Sequence, residues 1–266
     1  MYNFEFKRAE SLDQAVQLLN DGGQLLAGGQ TMLASMKQRL MQPETLVDLS
    51  GLSQLAGISE ANGAIVIGAM TRHQTVAADP LINNKIPALA KLAGGIGDKQ
   101  VRAMGTIGGS VANNDPAACY PSAVLGLGAT IKTNQREIAA DDFFQGLYAT
   151  ALEPGELITA IHFPVPQMAA YAKFKQPASR YALVGVFVAK TDQGVRVAIT
   201  GAGNGVFRHS GLEAALNANF SPEAVEGVTI DASDLSGDLH ASPEYRADLI
   251  KIQTQRAVTQ ALGKEG

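Results

Sequence analysis

The sequence predicts an α+β fold, and three observations carry that prediction. Up to Pro164, short apolar runs that read as strands alternate with stretches of helical spacing. The segment Pro164-Val165-Pro166 then breaks the pattern, because its prolines hold the backbone extended and cannot sit inside a helix. Beyond it, three strand patterns follow one another before any helix, which predicts a small antiparallel sheet backed by helices.

Taken in order, Ser11 opens the first helix as a capping box with Gln14. Leu12, Ala15, Val16, Leu18 and Leu19 continue it at helical spacing, and Gly22-Gly23 end it. Residues 25–27 read as a short buried strand running into Gly28-Gly29, and 32–40 as a helix. Strands follow at 45–49 and, after the Asn62-Gly63 turn, at 64–67. Thr71 is placed as the cap of a helix ending near Asp79-Pro80, and Pro87 starts another that stops at Gly94-Gly95. Residues 105–116 have no clean periodicity, and their glycines and asparagines predict an ordered loop. A helix over 121–127 and strands at 129–133 and 157–163 lead to the proline break. After it come strands at 170–175, 182–189 and 195–200, with an Asp192-Gln193-Gly194 turn, and helices at 210–216, 222–225 and 244–262.

Composition narrows the function. Hydrophobic residues make up 46% and charged residues 17%, a globular balance. A net charge of −4 without a basic stripe argues against a nucleic-acid partner. Apolar runs such as 181–189 fall well short of the roughly 20 residues of a membrane span, and the first ten residues lack a signal-peptide pattern. The lone Cys119 excludes an internal disulfide and any cysteine-ligated cluster built by this chain alone; it reads as a buried structural thiol. The expected compartment is cytoplasmic. The 28 glycines are the unusual feature, because they fall in tight clusters. Clustered glycine weakens regular structure, and turns or close approach to a ligand are its usual compensation.

Three of those clusters could carry chemistry. Ala27-Gly28-Gly29-Gln30-Thr31 lies between a strand and a helix, where glycines let a phosphate approach free backbone amides; an ordinary strand-to-helix turn accounts for it equally well. Thr106-Ile107-Gly108-Gly109-Ser110, continuing to Asp115-Pro116, combines close-approach glycines with the Thr106 and Ser110 hydroxyls as donors and Asp115 as an acceptor suited to a ribose hydroxyl. Loops of this length and polarity are more often functional than not. Gly201-Ala202-Gly203-Asn204-Gly205-Val206 looks superficially like a dinucleotide fingerprint. Its third glycine position holds Val206, and no acid ends a second strand, so it reads as a turn. The four histidines lack metal-ligand spacing, no nucleophile elbow is present, and Asp141-Asp142 reads as a helix cap or a solvent-facing pair.

Taken together, the loops and several further stretches resemble one family, the medium, FAD-binding subunits of molybdenum hydroxylases of the xanthine dehydrogenase and aerobic carbon monoxide dehydrogenase type. The similar stretches include Leu46-Val47-Asp48-Leu49, Ile67-Gly68-Ala69, Gln100-Val101-Arg102, Pro154-Gly155-Glu156-Leu157-Ile158 and Phe174-Lys175-Gln176, so the resemblance spans essentially the whole chain. It implies a PCMH-type FAD-binding fold of two α/β subdomains, 1–55 and 56–165, followed by a C-terminal flavoprotein domain, 167–266. It implies non-covalent FAD between the first two, its pyrophosphate wrapped by Ala27, Gly28, Gly29, Gln30 and Thr31 and by Thr106, Ile107, Gly108, Gly109 and Ser110. Asp115 falls on the family's second-loop aspartate, Leu157 on a contact near the isoalloxazine, Lys175 on a lysine at the flavin carbonyl edge, and Tyr181 on a tyrosine close to the ring.

Gln30-Thr31 departs from the His-Ser common at that position, and the missing histidine agrees with FAD held without a covalent bond. The implied partners are a small iron–sulfur subunit with [2Fe-2S] clusters and a large subunit with the molybdenum cofactor, as a dimer of heterotrimers. Electrons would arrive from the clusters and leave to NAD, oxygen or a quinone, with no catalytic side chain indispensable here. Two other readings stay open: a self-contained flavin oxidoreductase of the same superfamily, which would need its own proton donor, and a non-catalytic assembly subunit.

Overall fold

The chain enters through strand β1 (Glu5–Arg8) and helix α1 (Leu12–Asn20) in the computed structural model, which describes residues 1–264. Ser11 caps α1, its Oγ accepting from the Gln14 N–H at 3.1 Å, while Gln14 Oε1 reaches back one residue past the cap to accept from the Glu10 N–H at 2.7 Å. Strand β2 (Gln24–Leu26), helix α2 (Met32–Lys37) and strand β3 (Thr45–Asp48) follow. The three strands make a parallel sheet in the order β1-β3-β2, with β3 central. Leu46, Val47 and Asp48 are accordingly buried. Helix α2 ends at Lys37, short of the predicted residue 40. Arg39 turns left-handed at φ 62°, and the Leu40 N–H closes back on the Ser35 carbonyl at 2.9 Å.

The middle of the chain contains β4 (Ile58–Ala61), β5 (Ala64–Gly68), α3 (His73–Ala78), α4 (Pro80–Lys85), α5 (Pro87–Gly94), α6 (Lys99–Met104), α7 (Ile107–Asn113), α8 (Tyr120–Gly126), β6 (Thr130–Thr133), β7 (Glu137–Ala139), α9 (Ala140–Phe143), the hairpin of β8 (Phe144–Gly146) and β9 (Ala149–Thr150), and β10 (Ile158–Pro164). An antiparallel sheet in the order β4-β5-β10-β6-β7 supports the helices. Thr71 does not cap a helix. Its hydroxyl accepts from the Gly57 N–H and donates to the Gly57 carbonyl, while α3 starts after Arg72. Asp79 begins a helix rather than ending one, accepting from the Leu81 and Ile82 amides.

The largest correction concerns residues 105–116. Most of the expected loop is helix α7, despite its two glycines. Thr106 Oγ1 caps it by accepting from the Gly109 N–H at 3.2 Å, and Asn114 stops it in the left-handed conformation at φ 43°. Packing overrides propensity here: a Cβ on Gly108 would lie 2.8 Å from Ala69 Cα.

Beyond the proline break, β11 (Met168–Lys175), β12 (Ala182–Thr191), β13 (Gly194–Thr200) and a fourth short strand, β14 (Phe207–Arg208), form an antiparallel sheet, with helices α10 (Ser210–Ala218) and α11 (Pro243–Ala261). β12 is apolar almost without interruption because both its faces are covered. Phe187 and Ala189 join the core around α5 and α8, while Val184, Val186 and Val188 pack with Leu249, Ile250 and Ala257 of α11. Asp141 neither caps a helix nor faces solvent unpaired. It bridges Arg196 at 2.8 Å and Arg208 at 3.1 Å, tying α9 to this sheet. Among the described residues, no helix is long and apolar enough to cross a membrane.

Candidate functional site

A cleft of about 940 Å³ opens where the end of β2, the start of α7 and the β11–β12 turn converge. That volume is at the upper end for small-molecule sites, which suits an extended ligand. Its lining includes Ala27, Gly28, Gly29, Gln30 and Thr31 from one side and Thr106, Gly108, Gly109 and Ser110 from another. The two glycine loops, far apart in sequence, touch. A Cβ on Gly28 would strike the Met104 carbonyl oxygen and lie 2.7 Å from Gly105 Cα.

The loops differ in what their amides do. Among the described residues, no acceptor meets the N–H groups of Gly28, Gly29, Gln30 or Thr31. Gly29 sits at φ +71°, a conformation glycine adopts without strain. In the second loop, Ile107 N–H donates to Thr71 O, Gly108 N–H to Ala69 O, Gly109 N–H to Thr106 Oγ1 and Ser110 N–H to Thr106 O. Ile107 turns its side chain into the core, fully buried, and does not line the cleft. Thr106 is buried with its oxygen serving as the helix cap, so Ser110 and Thr31 are the more accessible hydroxyls.

Behind the second loop lies His73, which the sequence did not single out. Its backbone N–H donates to the Gly105 carbonyl at 2.9 Å, its ring lies tilted at 49° to that of Tyr120 with centroids 5.2 Å apart, and its Nδ1 has no partner among the described residues. Burial first, and the Arg102 charge second, bring its pKa down to about 4, so the ring is neutral near pH 7. Asp115 accepts from the Ala117 N–H at 2.8 Å and from the Tyr148 hydroxyl at 3.3 Å, keeping acceptor capacity on the cleft side. Tyr148 sits at the tip of the β8–β9 hairpin at φ 52°, and buried Asn114 holds that hairpin by donating to the Gly146 and Ala149 carbonyls, both at 2.8 Å. Burial, then the Asp115 charge, raises the pKa of Tyr148; Tyr181 is raised by burial and by Asp115, Tyr148 and Cys119.

Leu157 lines the cleft, and Asn134 takes both its N–H and its carbonyl. Tyr181 lines it as well. Lys175 does not. The β11–β12 register shifts between Phe174 and Lys175, and Lys175 lies exposed at the strand end while Lys173 faces the cleft. Cys119 is buried, as expected, but forms part of the lining. The Gly201–Gly205 cluster stays outside it. Gly201 N–H donates to the Pro116 carbonyl at 2.7 Å and Gly205 packs near Gly146, so this turn buttresses the second loop and the hairpin.

Bare amides beside glycine, hydroxyls and one lysine as donors, with the Asp115 carboxylate as acceptor, form a set suited to a phosphate-bearing nucleotide cofactor. The comparisons with known proteins agree. Residues 2–166 match the model of the FAD binding domain in molybdopterin dehydrogenase, and the chain belongs to that family. It is 36% identical to the carbon monoxide dehydrogenase medium chain of Afipia carboxidovorans over 97% of this chain and 96% of that one. It is 32% identical to the glyceraldehyde dehydrogenase medium chain of Sulfolobus acidocaldarius, covering 96% of each. The structure superposes on that of reconstituted CO dehydrogenase from Oligotropha carboxidovorans with a TM-score of 0.91, 32% identity and 99% of each chain covered. The chain is therefore an FAD-binding flavoprotein subunit of the molybdenum hydroxylase family, and an oxidoreductase component.

Proposed function

We propose that this subunit holds one non-covalent FAD in the cleft and relays electrons from a small iron–sulfur subunit, itself served by a large molybdenum subunit, to an external acceptor: NAD, oxygen or a quinone. The observation that carries this reading is the run of unpartnered amides from Gly28 to Thr31 set against the fully bonded second loop. Gly28, Gly29, Gln30 and Thr31 would meet the pyrophosphate, with Ser110 opposite. Asp115 would accept from a sugar hydroxyl. Leu157 and Tyr181 would pack against the ring system. Bound FAD supplies the redox chemistry, accepting electrons singly and releasing them as a pair.

The chain's own groups support a holding role over a proton-transferring one. His73 is kept neutral by burial, and Tyr148 and Tyr181 are pushed upward, so none of these three cleft groups is poised to exchange protons near pH 7. The relatives named for carbon monoxide and for glyceraldehyde share this whole chain's length, which fits substrate choice residing in another subunit. The test is an absorption spectrum of the purified chain with excess FAD, before and after acid precipitation. A flavin band that moves wholly to the supernatant is expected. No flavin band after reconstitution overturns the reading and leaves a non-catalytic assembly subunit.

A further inference from the structure

Cys119 stands on the wall of the cleft, just before α8 begins. It is the chain's only cysteine, so no internal disulfide can form with it. Its surroundings are not those of an inert core thiol. The Lys173 ammonium donates to Cys119 Sγ at 3.4 Å, held there by further bonds to the Gly95 carbonyl at 2.8 Å and the Arg180 carbonyl at 3.2 Å. All three acceptors are neutral, and the thiol is the weakest of them.

A second donor, independent of the first, points to the same place. Tyr171 is 6% exposed, and its hydroxyl has no hydrogen-bond partner among the described residues. The polar side chains beside it are those of Cys119 and Ser122, and the Ser122 hydroxyl already donates to the Cys119 carbonyl at 2.8 Å. The hydroxyl is also fixed in place, because Gly185 backs it so closely that a Cβ there would collide with it. A buried hydroxyl without an acceptor carries an uncompensated desolvation cost. Tyr171 and Lys173 are two residues apart on β11, so both side chains leave the same face of the strand. An oxygen atom bonded to Sγ would supply the strong acceptor that both donors lack.

We propose that Cys119 is an oxidation site, at which hydrogen peroxide converts the thiol to a sulfenic acid whose oxygen is received by Tyr171 and Lys173. A sulfur–oxygen bond forms as the peroxide oxygen–oxygen bond breaks. Sulfur gives up two electrons and the peroxide takes them. One peroxide oxygen stays on sulfur as S–OH, and the other leaves as water with the thiol proton. The Tyr171 O–H and a Lys173 N–H then donate to oxygen instead of sulfur, a stronger pairing. The cleft admits the small oxidant. With no second cysteine in the chain, the product persists until an external thiol reduces it. The site does not depend on the cleft holding FAD.

The experiment treats the flavin-free full chain with hydrogen peroxide, removes the excess with catalase, and adds dimedone after increasing delays. Dimedone traps sulfenic acids, and the adduct is read by intact mass and peptide mapping. The wild type should give one adduct, on Cys119, and Cys119→Ser should give none. Tyr171→Phe and Lys173→Met should each shorten the lifetime of the trappable form about tenfold, the loss of one strong donor, and Lys173→Arg should recover most of it. Tyr171→Phe should leave the melting temperature of the reduced protein no lower, since its hydroxyl has no bond to lose. This separates a role at the oxidised sulfur from a role in the fold. No adduct in the folded wild type overturns the proposal, as does an unchanged lifetime in both Tyr171→Phe and Lys173→Met. Should Lys173→Met not fold, Tyr171→Phe decides alone.

Discussion

The two glycine loops look alike in sequence and are used in opposite ways. Glycines in the first loop leave amides bare: among the described residues Gly28 to Thr31 have no protein acceptor, and Thr31, at the N-cap of α2, makes no side-chain cap bond. Glycines in the second loop bring backbone against backbone. Gly108 lies on Ala69, Gly105 lies against the His73 ring, and the amides of residues 107–110 are all bonded within the protein. We propose that the first loop meets the ligand and that the second builds the scaffold that aims it. Motif similarity alone does not separate these roles; the accounting of backbone donors does.

Substitution should break the comparison where it is strongest. Gly108→Ala forces a Cβ to within 2.7 Å of the Ala69 carbonyl oxygen, backbone that cannot yield cheaply. We expect a loss of about 3 kcal/mol in stability from such overpacking, seen in denaturant melts of flavin-loaded and flavin-free protein alike. Gly28→Ala drives the loops apart at Met104 and Gly105, and its effect should concentrate on the ligand: FAD affinity falls about a hundredfold, equivalent to about 3 kcal/mol. Equal effects of the two variants on stability and on FAD affinity would erase the distinction.

His73 offers a way to sharpen it by pH. Its folded pKa of about 4 lies below the ordinary 6.5, so the folded state binds fewer protons than the unfolded one between those values. Stability conferred by the neutral ring is complete above pH 6.5 and is lost as pH falls through about 4. The depression corresponds to about 3 kcal/mol at most. A pH series of thermal melts should show this slope in the wild type and a flatter one in His73→Gln, with second-loop amide protection falling along it. At the small end, Thr106→Val removes the cap of α7 while keeping its volume. About 1 kcal/mol of stability should go, with little change in FAD affinity.

Much of the fold was legible in the sequence, for identifiable reasons. β12 is legible because a strand covered on both faces presents a nearly unbroken apolar run, β13 because β-branched residues cluster after the Asp192-Gln193-Gly194 turn, and α1 because Ser11 and Gly22-Gly23 bracket it. Helix α7 was misread because its signals are non-local. Propensity argues against Gly108-Gly109 in a helix, and only Ala69, out of reach of any sequence window, reverses that. Thr106 as a cap and Asn114 as a left-handed stop are the local residues that mark the ends of α7.

The site divides in the same manner. The first glycine loop and Asp115, which the structure brings to the cleft, carry local motifs, because amide exposure and spare acceptors follow from local residue types. His73, Tyr148 and Lys173 do not, since each reaches the cleft from a separate element and carries no local pattern. Lys173 and Lys175 share a face in simple strand alternation, and the register shift at Phe174 is what separates them.

The most direct measurement is amide hydrogen exchange across residues 27–32 and 105–111, with and without FAD. We expect fast exchange at Gly28 to Thr31 in the flavin-free protein and marked protection once FAD binds, while the amides of Ile107 to Ser110 are protected in both states. Exchange at Gly28 to Thr31 that FAD leaves unchanged, in a protein shown to carry the flavin, would contradict it.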